Sequence, residues 1–254
     1  MTMKTSEFAK GLITALQTLT ILPVPGRGAE RMGDALRWFP FVGFLLGLLV
    51  VLAGRLTLCV GGGWNYAAGF VMLTASILLT RALHLDGISD WADGFWGAFD
   101  RQRVLAIMKD SNLGTFGTVA LVWVLLGKWI ALSRLAGHDG WGWIIGAFTI
   151  SRTMQVVLAA AHSYARPEEG TGSPFVSQAT VSIATWALIE AAILLTVVCW
   201  LSWPLVLAGA WGVTRIFGIW CNRRVGGVTG DLLGACSEIT ELLALFAGAI
   251  LVGT

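Results

Sequence analysis

Three aspartates and a histidine lie within eleven residues, HLDGISDWADG at positions 84–94, between two long apolar stretches. Asp86, Asp90 and Asp93 are spaced i, i+4 and i+7, so a helix would carry all three on one face. Like charges at that spacing repel one another, and a divalent cation would relieve the repulsion. Mg²⁺ prefers oxygen ligands and often binds one or two carboxylates together with substrate phosphates. We therefore predict that these three aspartates bind Mg²⁺.

A second acidic set lies in GGVTGDLLGACSEITELL, residues 226–243. Asp231 and Glu238 are seven residues apart, which returns them to nearly the same face of a helix, and Glu241 follows about a turn later. We predict that Asp231 and Glu238 complete the metal site or hold a second ion. Two metal ions held in this way form the clamp that stabilises the attacking and leaving oxygens in phosphoryl transfer.

Glycines accompany both acidic sets. Gly87 and Gly94 stand beside the first aspartates, where a missing side chain would let a bulky ligand approach. Gly230 and its glycine neighbours precede the second acidic helix, and a glycine-rich turn before a helix N-terminus suits phosphate. Gly230 is therefore a predicted substrate-binding residue.

Between the two sets lies RQRVLAIMKDSNLGTFG, residues 101–117. Its cations are natural anion binders: Arg101, Arg103 and Lys109. Ser111 and Asn112 precede an apolar stretch, where they are predicted to cap a helix and leave backbone N–H groups for phosphate. Arg152 lies inside another apolar stretch, where a charge is costly unless paired and marks a functional site by default. Arg152 and Ser111 join the predicted substrate-binding residues.

The elements that carry these residues are predicted to be membrane helices. Only 13% of the 254 residues are charged, 56% are hydrophobic and the mean hydropathy is +0.75, whereas soluble domains carry about 25% charged residues. A net charge of +2 is too small to favour nucleic acid. We predict one domain over residues 1–254, an all-α polytopic bundle in a lipid bilayer.

Seven stretches have the length of roughly 20 apolar residues that a spanning helix needs. They are Trp38–Val60, Asn65–Leu83, Leu113–Leu135, Trp141–Ala161, Thr180–Trp200, Trp203–Ile219 and Leu232–Val252. The sixth is the shortest. The segment before them, residues 7–26, has apolar residues at helical spacing interleaved with polar ones, which predicts an amphipathic helix on the bilayer surface.

If the chain begins in the cytoplasm and crosses the membrane seven times, its loops alternate between the two sides and the charges separate between them. Eleven of the 17 lysines and arginines then fall in cytoplasmic segments and only Arg134 falls outside, a strong positive-inside bias. The remaining five lie within spans, and among them Lys128 is expected to snorkel to the boundary. Most carboxylates fall on the cytoplasmic side as well, so the chemistry is predicted at the cytoplasmic face of the membrane.

With these residues in view, the chain resembles the cobalamin synthase family, the adenosylcobinamide-GDP ribazoletransferases, over essentially its whole length. The resemblance depends on four blocks: HLDGISDWADG, RVLAIMKDSNLGTFG, SR at 151–152 and GGVTGDLLGACSEITE. It implies a Mg²⁺-dependent membrane enzyme that joins adenosylcobinamide-GDP to α-ribazole or its 5′-phosphate with release of GMP. It also makes association with other corrinoid enzymes, or a homo-oligomer, an expectation.

Several roles stay open at this point. Asp93 or Asp110 is predicted as the general base for the attacking hydroxyl. His84 is predicted either as a catalytic neighbour of the metal or as the start of a helix. The residues alone indicate metal and phosphate but not a corrinoid, so a membrane phosphotransferase that joins another diphosphate-linked donor to a lipid alcohol is the nearest alternative. A transporter fits less well, because transporters bind near the midplane, and a non-enzymatic scaffold needs no acidic face.

Overall fold

The computed structural model describes residues 5–166, 170–199 and 202–252, with side chains from residue 9 onward. Over these residues the chain forms twelve helices and one isolated β-bridge, between Tyr164 and Val228, so the all-α prediction is confirmed. The helices are α1 Thr5–Leu19, α2 Met32–Leu36, α3 Phe39–Val60, α4 Asn65–Thr80, α5 Leu83–Gly97, α6 Arg101–Ile107, α7 Thr115–Gly137, α8 Trp141–Ala161, α9 Ser173–Gln178, α10 Val181–Val198, α11 Trp203–Val225 and α12 Gly230–Leu251.

Six of these helices are each long and apolar enough to cross a membrane: α3, α7, α8, α10, α11 and α12. Five of them begin and end within three residues of the predicted spans. The exception is α11: its span is predicted to be the shortest, but the helix has 23 residues. It continues past Ile219 through polar residues and ends only at Gly226, whose φ of 78° is the left-handed C-cap conformation that glycine adopts without strain.

The second predicted span also ends early. The helix α4 stops at Thr80, because Arg81 and Ala82 both adopt left-handed backbone conformations with φ of 54° and 55°. The chain then turns by 89° into α5, so α4 and α5 together form either one broken span or a re-entrant loop. Arg81 Nη2 donates to the backbone oxygens of Gln17 and Thr20 at 3.3 Å each, which ties the turn to α1.

The connections gather at two opposite ends of the bundle. At one end, Arg134 Nε donates to the carbonyl of Ala249 at 2.7 Å, and the Cys199 thiol donates to the carbonyl of Gly142 at 3.1 Å. At the other end, Arg224 Nη2 donates to the Phe95 and Ala98 carbonyls and joins α11 to the end of α5. The sequence also predicts a tight helical hairpin at Leu201 to Trp203, whose first residue lies outside the described residues, and a solvated pair at 168–169, which lies outside them entirely.

Four charged side chains meet in the interior of the bundle, on α7, α8 and α12. Lys128 Nζ lies 2.6 Å from Glu238 Oε2 and 2.7 Å from Glu241 Oε1. Arg152 pairs with Glu241 and donates to the Ser151 hydroxyl at 2.7 Å. Lys128 is only 4% exposed, so the expectation that it snorkels is wrong. Two cations and two carboxylates balance, which is how buried charges become tolerable.

Candidate active site at the α5–α12 crossing

The first acidic set lies on α5, as its spacing predicts. Ile88, Ala92 and Phe95 form the buried face of this helix, while the aspartates line another face. Asp86 is exposed, and Asp90 and Asp93 are half-buried. The turn before α5 carries this helix away from the direction of α4, which brings the three aspartates to the end of the bundle where α12 begins.

A close approach of two backbones holds α5 against α12. A Cβ added at Gly87 would collide with the carbonyl of Asp231, and one added at Gly234 would lie 3.3 Å from the Cα of His84. Gly94 packs against α6, with its Cβ position 3.2 Å from the Val104 carbonyl oxygen. The expectation that Gly87 and Gly94 leave room for a ligand is therefore wrong. They leave room for neighbouring helices.

This crossing gathers four carboxylates. Asp90 lies within electrostatic range of Asp86, Asp93 and Asp231, and the cation nearest in effect is Arg166. Arg166 Nη1 lies 3.6 Å from Asp231 Oδ2, and Arg166 Nη2 donates to the Leu105 carbonyl at 2.8 Å. Among the described residues, no three histidine, cysteine or acidic side chains are close enough to bind a metal by themselves. Mg²⁺ often needs only one or two carboxylates beside substrate phosphates, and the cluster fits that mode.

Asp93 already has backbone partners. Its carboxylate accepts hydrogen bonds from the N–H groups of Gly114 at 2.7 Å and Gly117 at 2.8 Å, at the start of α7. The prediction that Ser111 and Asn112 cap this helix is wrong, since the N-cap is Gly114. A carboxylate from another helix satisfies N–H groups that a side chain of the same helix would otherwise bond.

The two predicted partners on α12 separate. Asp231 Oδ2 accepts a hydrogen bond from the Thr229 hydroxyl at 3.3 Å and lies with the aspartates of α5. Glu238 lies about 10.5 Å further along the helix axis, since each residue adds about 1.5 Å, and its carboxylate pairs with Lys128. Glu238 and Arg152 thus belong to the buried charged group, and their metal and substrate roles stay predictions.

His84 stands between the two groups. It lies in the first turn of α5, is 3% exposed, and is within electrostatic range of Arg152, Glu241 and Lys128. It also borders a cavity of about 250 Å³ that Asp86 and Asp231 line as well. Both of its predicted descriptions, the start of a helix and a neighbour of the acidic site, agree with this position.

The predicted phosphate-binding residues differ in their contacts and in how exposed they are. Arg101 Nη2 donates to the carbonyl of Ala165 at 3.3 Å, beside the segment that carries Arg166. Arg103 and Lys109 are exposed, and so is Ser111. Gly230 begins α12 and lines the same cavity as Asp231. Asp110 is exposed, and its Oδ1 accepts hydrogen bonds from the backbone and side-chain nitrogens of Asn112 at 3.0 and 2.7 Å.

Sequence reasoning missed two residues of this site. The Ala165 N–H donates to the Val228 carbonyl at 2.8 Å, and the Val228 N–H donates to the Ser163 carbonyl at 2.9 Å. This pairing brings Tyr164 and Arg166 beside Asp231. Burial raises the pKa of the Tyr164 hydroxyl, and the charge of Asp231 raises it further, so this group stays a hydrogen-bond donor at neutral pH. About 65 residues separate Arg166 from Asp231, and no local spacing could have paired them.

Helices long and apolar enough to cross a membrane, with carboxylates and arginines gathered at one end of the bundle, make this an integral membrane protein with a charged site at that end. The chain belongs to the cobalamin-5-phosphate synthase family, whose model matches residues 11–249. It is 45% identical to the adenosylcobinamide-GDP ribazoletransferase of Chlorobaculum parvum, over 94% of this chain and 95% of that protein. The protein of the same name from Syntrophobacter fumaroxidans is 37% identical, over 93% and 96% of the two chains. No solved structure matches.

Proposed function

We propose that the chain is an adenosylcobinamide-GDP ribazoletransferase. In this reaction a hydroxyl of α-ribazole, or of its 5′-phosphate, attacks the phosphorus bonded to the cobinamide. A new P–O bond forms, the diphosphate bond breaks, and GMP leaves with the electron pair. The observation that carries the proposal is the similarity to relatives of that name over 93–94% of the chain. The gathering of Asp86, Asp90 and Asp231 beside Arg166 supports it, because the reaction needs a site for a diphosphate.

Mg²⁺ is the proposed cofactor, held by one or two of Asp86, Asp90 and Asp231. The ion would neutralise charge on the diphosphate and on the departing GMP. The repulsion among these carboxylates supports the assignment, since a cation with bound phosphates relieves it. Asp93 is the weakest candidate among the predicted ligands, because both of its oxygens accept N–H bonds from α7.

The remaining groups would bind the substrates. Arg166 and Arg101 flank the carboxylates and are proposed to bind phosphate oxygens. The exposed Arg103 and Lys109 are proposed to add positive charge around them. The Tyr164 hydroxyl would donate to a phosphate or ribose oxygen. The general base, predicted as Asp93 or Asp110, stays a prediction, as does association with other enzymes or with a second copy.

The protein is proposed to lie in a bacterial inner membrane, with this site facing the cytoplasm. The support is the excess of lysine and arginine on the segments that carry it. Nucleotide-linked donors are made in the cytoplasm, so this orientation also gives the site access to its substrates.

The activity is tested by GMP release from adenosylcobinamide-GDP by detergent-purified protein, with α-ribazole present or omitted and with Mg²⁺ or EDTA. We expect release only when both acceptor and Mg²⁺ are supplied. Asp90→Asn is expected to slow release on the order of 10²-fold or more, by analogy with other groups that stabilise transition-state charge.

The matched control is Asp34→Asn in the first turn of α2, whose carboxylate is not among the charges that act on Asp90, and it should retain normal turnover. A folded wild-type preparation that releases no GMP would overturn the activity. Normal turnover in both Asp86→Asn and Asp90→Asn would overturn the metal site while leaving the activity intact.

A further inference from the structure

A cavity of about 250 Å³ adjoins the acidic cluster, and the mechanism above does not use it. Asp86, Asp231 and Gly230 lie along one side. The other walls are largely apolar, and they include Phe39 and Phe175, whose ring centroids are 6.0 Å apart. The cavity thus joins an apolar chamber to the carboxylates where the phosphorus chemistry is proposed.

Two residues that line this cavity each carry a buried polar atom that has no protein partner. His84 Nδ1 and Gln155 Oε1 make no hydrogen bond, although each residue is only 3% exposed. The amide nitrogen of Gln155 donates to the Leu233 carbonyl at 3.4 Å, which leaves the oxygen as a free acceptor. Leaving a buried polar atom unsatisfied is costly. Two such atoms around one cavity indicate a ligand that supplies a donor to Gln155 and a partner to His84.

The size of the cavity limits which ligands it can hold. Sites for small molecules usually measure about 300–1,000 Å³, so this one suits a small ligand and is far too small for a corrin macrocycle with an attached nucleotide. Aromatic and aliphatic walls suit a planar apolar ring. Gln155 Oε1 needs a hydrogen-bond donor such as a hydroxyl, and His84 Nδ1 bonds to a donor or to an acceptor according to its tautomer. A nucleoside combines all of these, since its ribose hydroxyls donate and its base supplies both a flat face and a ring nitrogen.

We propose that this cavity is the acceptor subsite, which holds the heteroaromatic base and ribose of the nucleoside that attacks the donor. Gln155 Oε1 accepts a hydrogen bond from a ribose hydroxyl, and His84 Nδ1 bonds to the nucleoside. Phe39 and Phe175 contact the base. The inference depends on the proposed function, because it assigns the acceptor of that reaction. It also separates the two substrates: the nucleoside lies inside the cavity, and the donor stays outside with its diphosphate at the carboxylates.

The test is steady-state GMP release by Gln155→Leu, which removes the free oxygen and nearly keeps the side-chain volume. Loss of a hydrogen bond between neutral groups should raise the KM for α-ribazole roughly three- to tenfold. The KM for adenosylcobinamide-GDP, and kcat at saturating acceptor, should stay within about twofold. Phe175→Leu provides a second variant at the other wall of the cavity, and it should also raise the acceptor KM alone.

The control is Gln17→Leu, the same exchange at an exposed position on α1 outside the cavity, which should leave both KM values unchanged. Equilibrium binding of α-ribazole to the purified protein without donor should weaken in both cavity variants and not in the control. Wild-type turnover with an unchanged acceptor KM in both variants would overturn the subsite, and so would a rise in the donor KM alone. A folded wild type that releases no GMP would overturn the proposed function instead, so the two failures are distinguishable.

Discussion

Carboxylates of similar sequence setting have three different roles in this chain. Asp86, Asp90 and Asp231 lie within electrostatic range of one another with Arg166 as their neighbouring cation, and the proposed Mg²⁺ would relieve their repulsion. Asp93 has the same spacing on α5 but caps another helix. Glu238, on the predicted face of α12, neutralises Lys128. The helical period correctly predicts the shared face. It carries no information on which backbone N–H or cation from another helix lies opposite each carboxylate.

These roles predict opposite effects on stability when metal is removed. In EDTA, Asp93→Ala should lower the free energy of unfolding by about 1–3 kcal/mol, because two N–H groups lose a charged acceptor. Asp90→Asn in EDTA should leave stability unchanged or raise it, because it removes one of four like charges. Thermal unfolding of the detergent-purified variants, followed by circular dichroism, measures both effects.

Added Mg²⁺ should affect the stability of Asp90→Asn and Asp93→Ala differently. Wild-type protein with Mg²⁺ and a nucleoside diphosphate should unfold at a higher temperature than in EDTA, and Asp90→Asn should lose most of that gain. Asp93→Ala should keep it, although from a lower starting point. Equal destabilisation by the two substitutions in EDTA would contradict the division of roles between Asp90 and Asp93.

At the scale of helices, the placing of the site depends on where α5 begins and how closely it packs. The apolar run at 65–83 predicts one straight span, yet the helix ends at Thr80. Arg81 and Ala82 are neither glycine nor asparagine, so nothing local signals their left-handed conformation. Contacts of Arg81 with α1 accompany the turn. Tertiary interactions therefore decide the direction of α5, and a single sequence does not reveal them.

The α5–α12 crossing gives a prediction at this scale. Gly87→Ala should force α5 away from α12, because the new methyl group would collide with the Asp231 carbonyl. We expect a large loss of GMP release and a lower unfolding temperature. Gly97→Ala is the matched control on the same helix, where a Cβ would meet only Ile107 Cδ1 at 3.5 Å, an ordinary contact. Similar activity in the two variants would show that close packing at Gly87 is not what aligns the carboxylates.

At the scale of the whole molecule, the buried charged group explains how a chain so rich in apolar residues tolerates polar ones inside. Lys128, Arg152, Glu238 and Glu241 join α7, α8 and α12, and each charge has a partner on another helix. The sequence predicts that Arg152 needs a partner but cannot name Glu241, 89 residues later. The limits of five of the seven predicted spans, by contrast, follow from apolar length alone, because that length is set by the bilayer.

The proposed orientation is the prediction that concerns the whole bundle. Cysteine-free protein carrying either Gln102→Cys on α6 or His138→Cys after α7 presents one exposed thiol at each end. Because lysine and arginine gather on the α6 end, we expect a membrane-impermeant maleimide to label His138→Cys in intact spheroplasts and Gln102→Cys only after lysis. Retained GMP release in both variants is the control for folding. Labelling of Gln102→Cys before lysis would invert the bundle and place the carboxylates of α5 on the side away from the cytoplasmic nucleotide pool, which would contradict the proposed access of the donor.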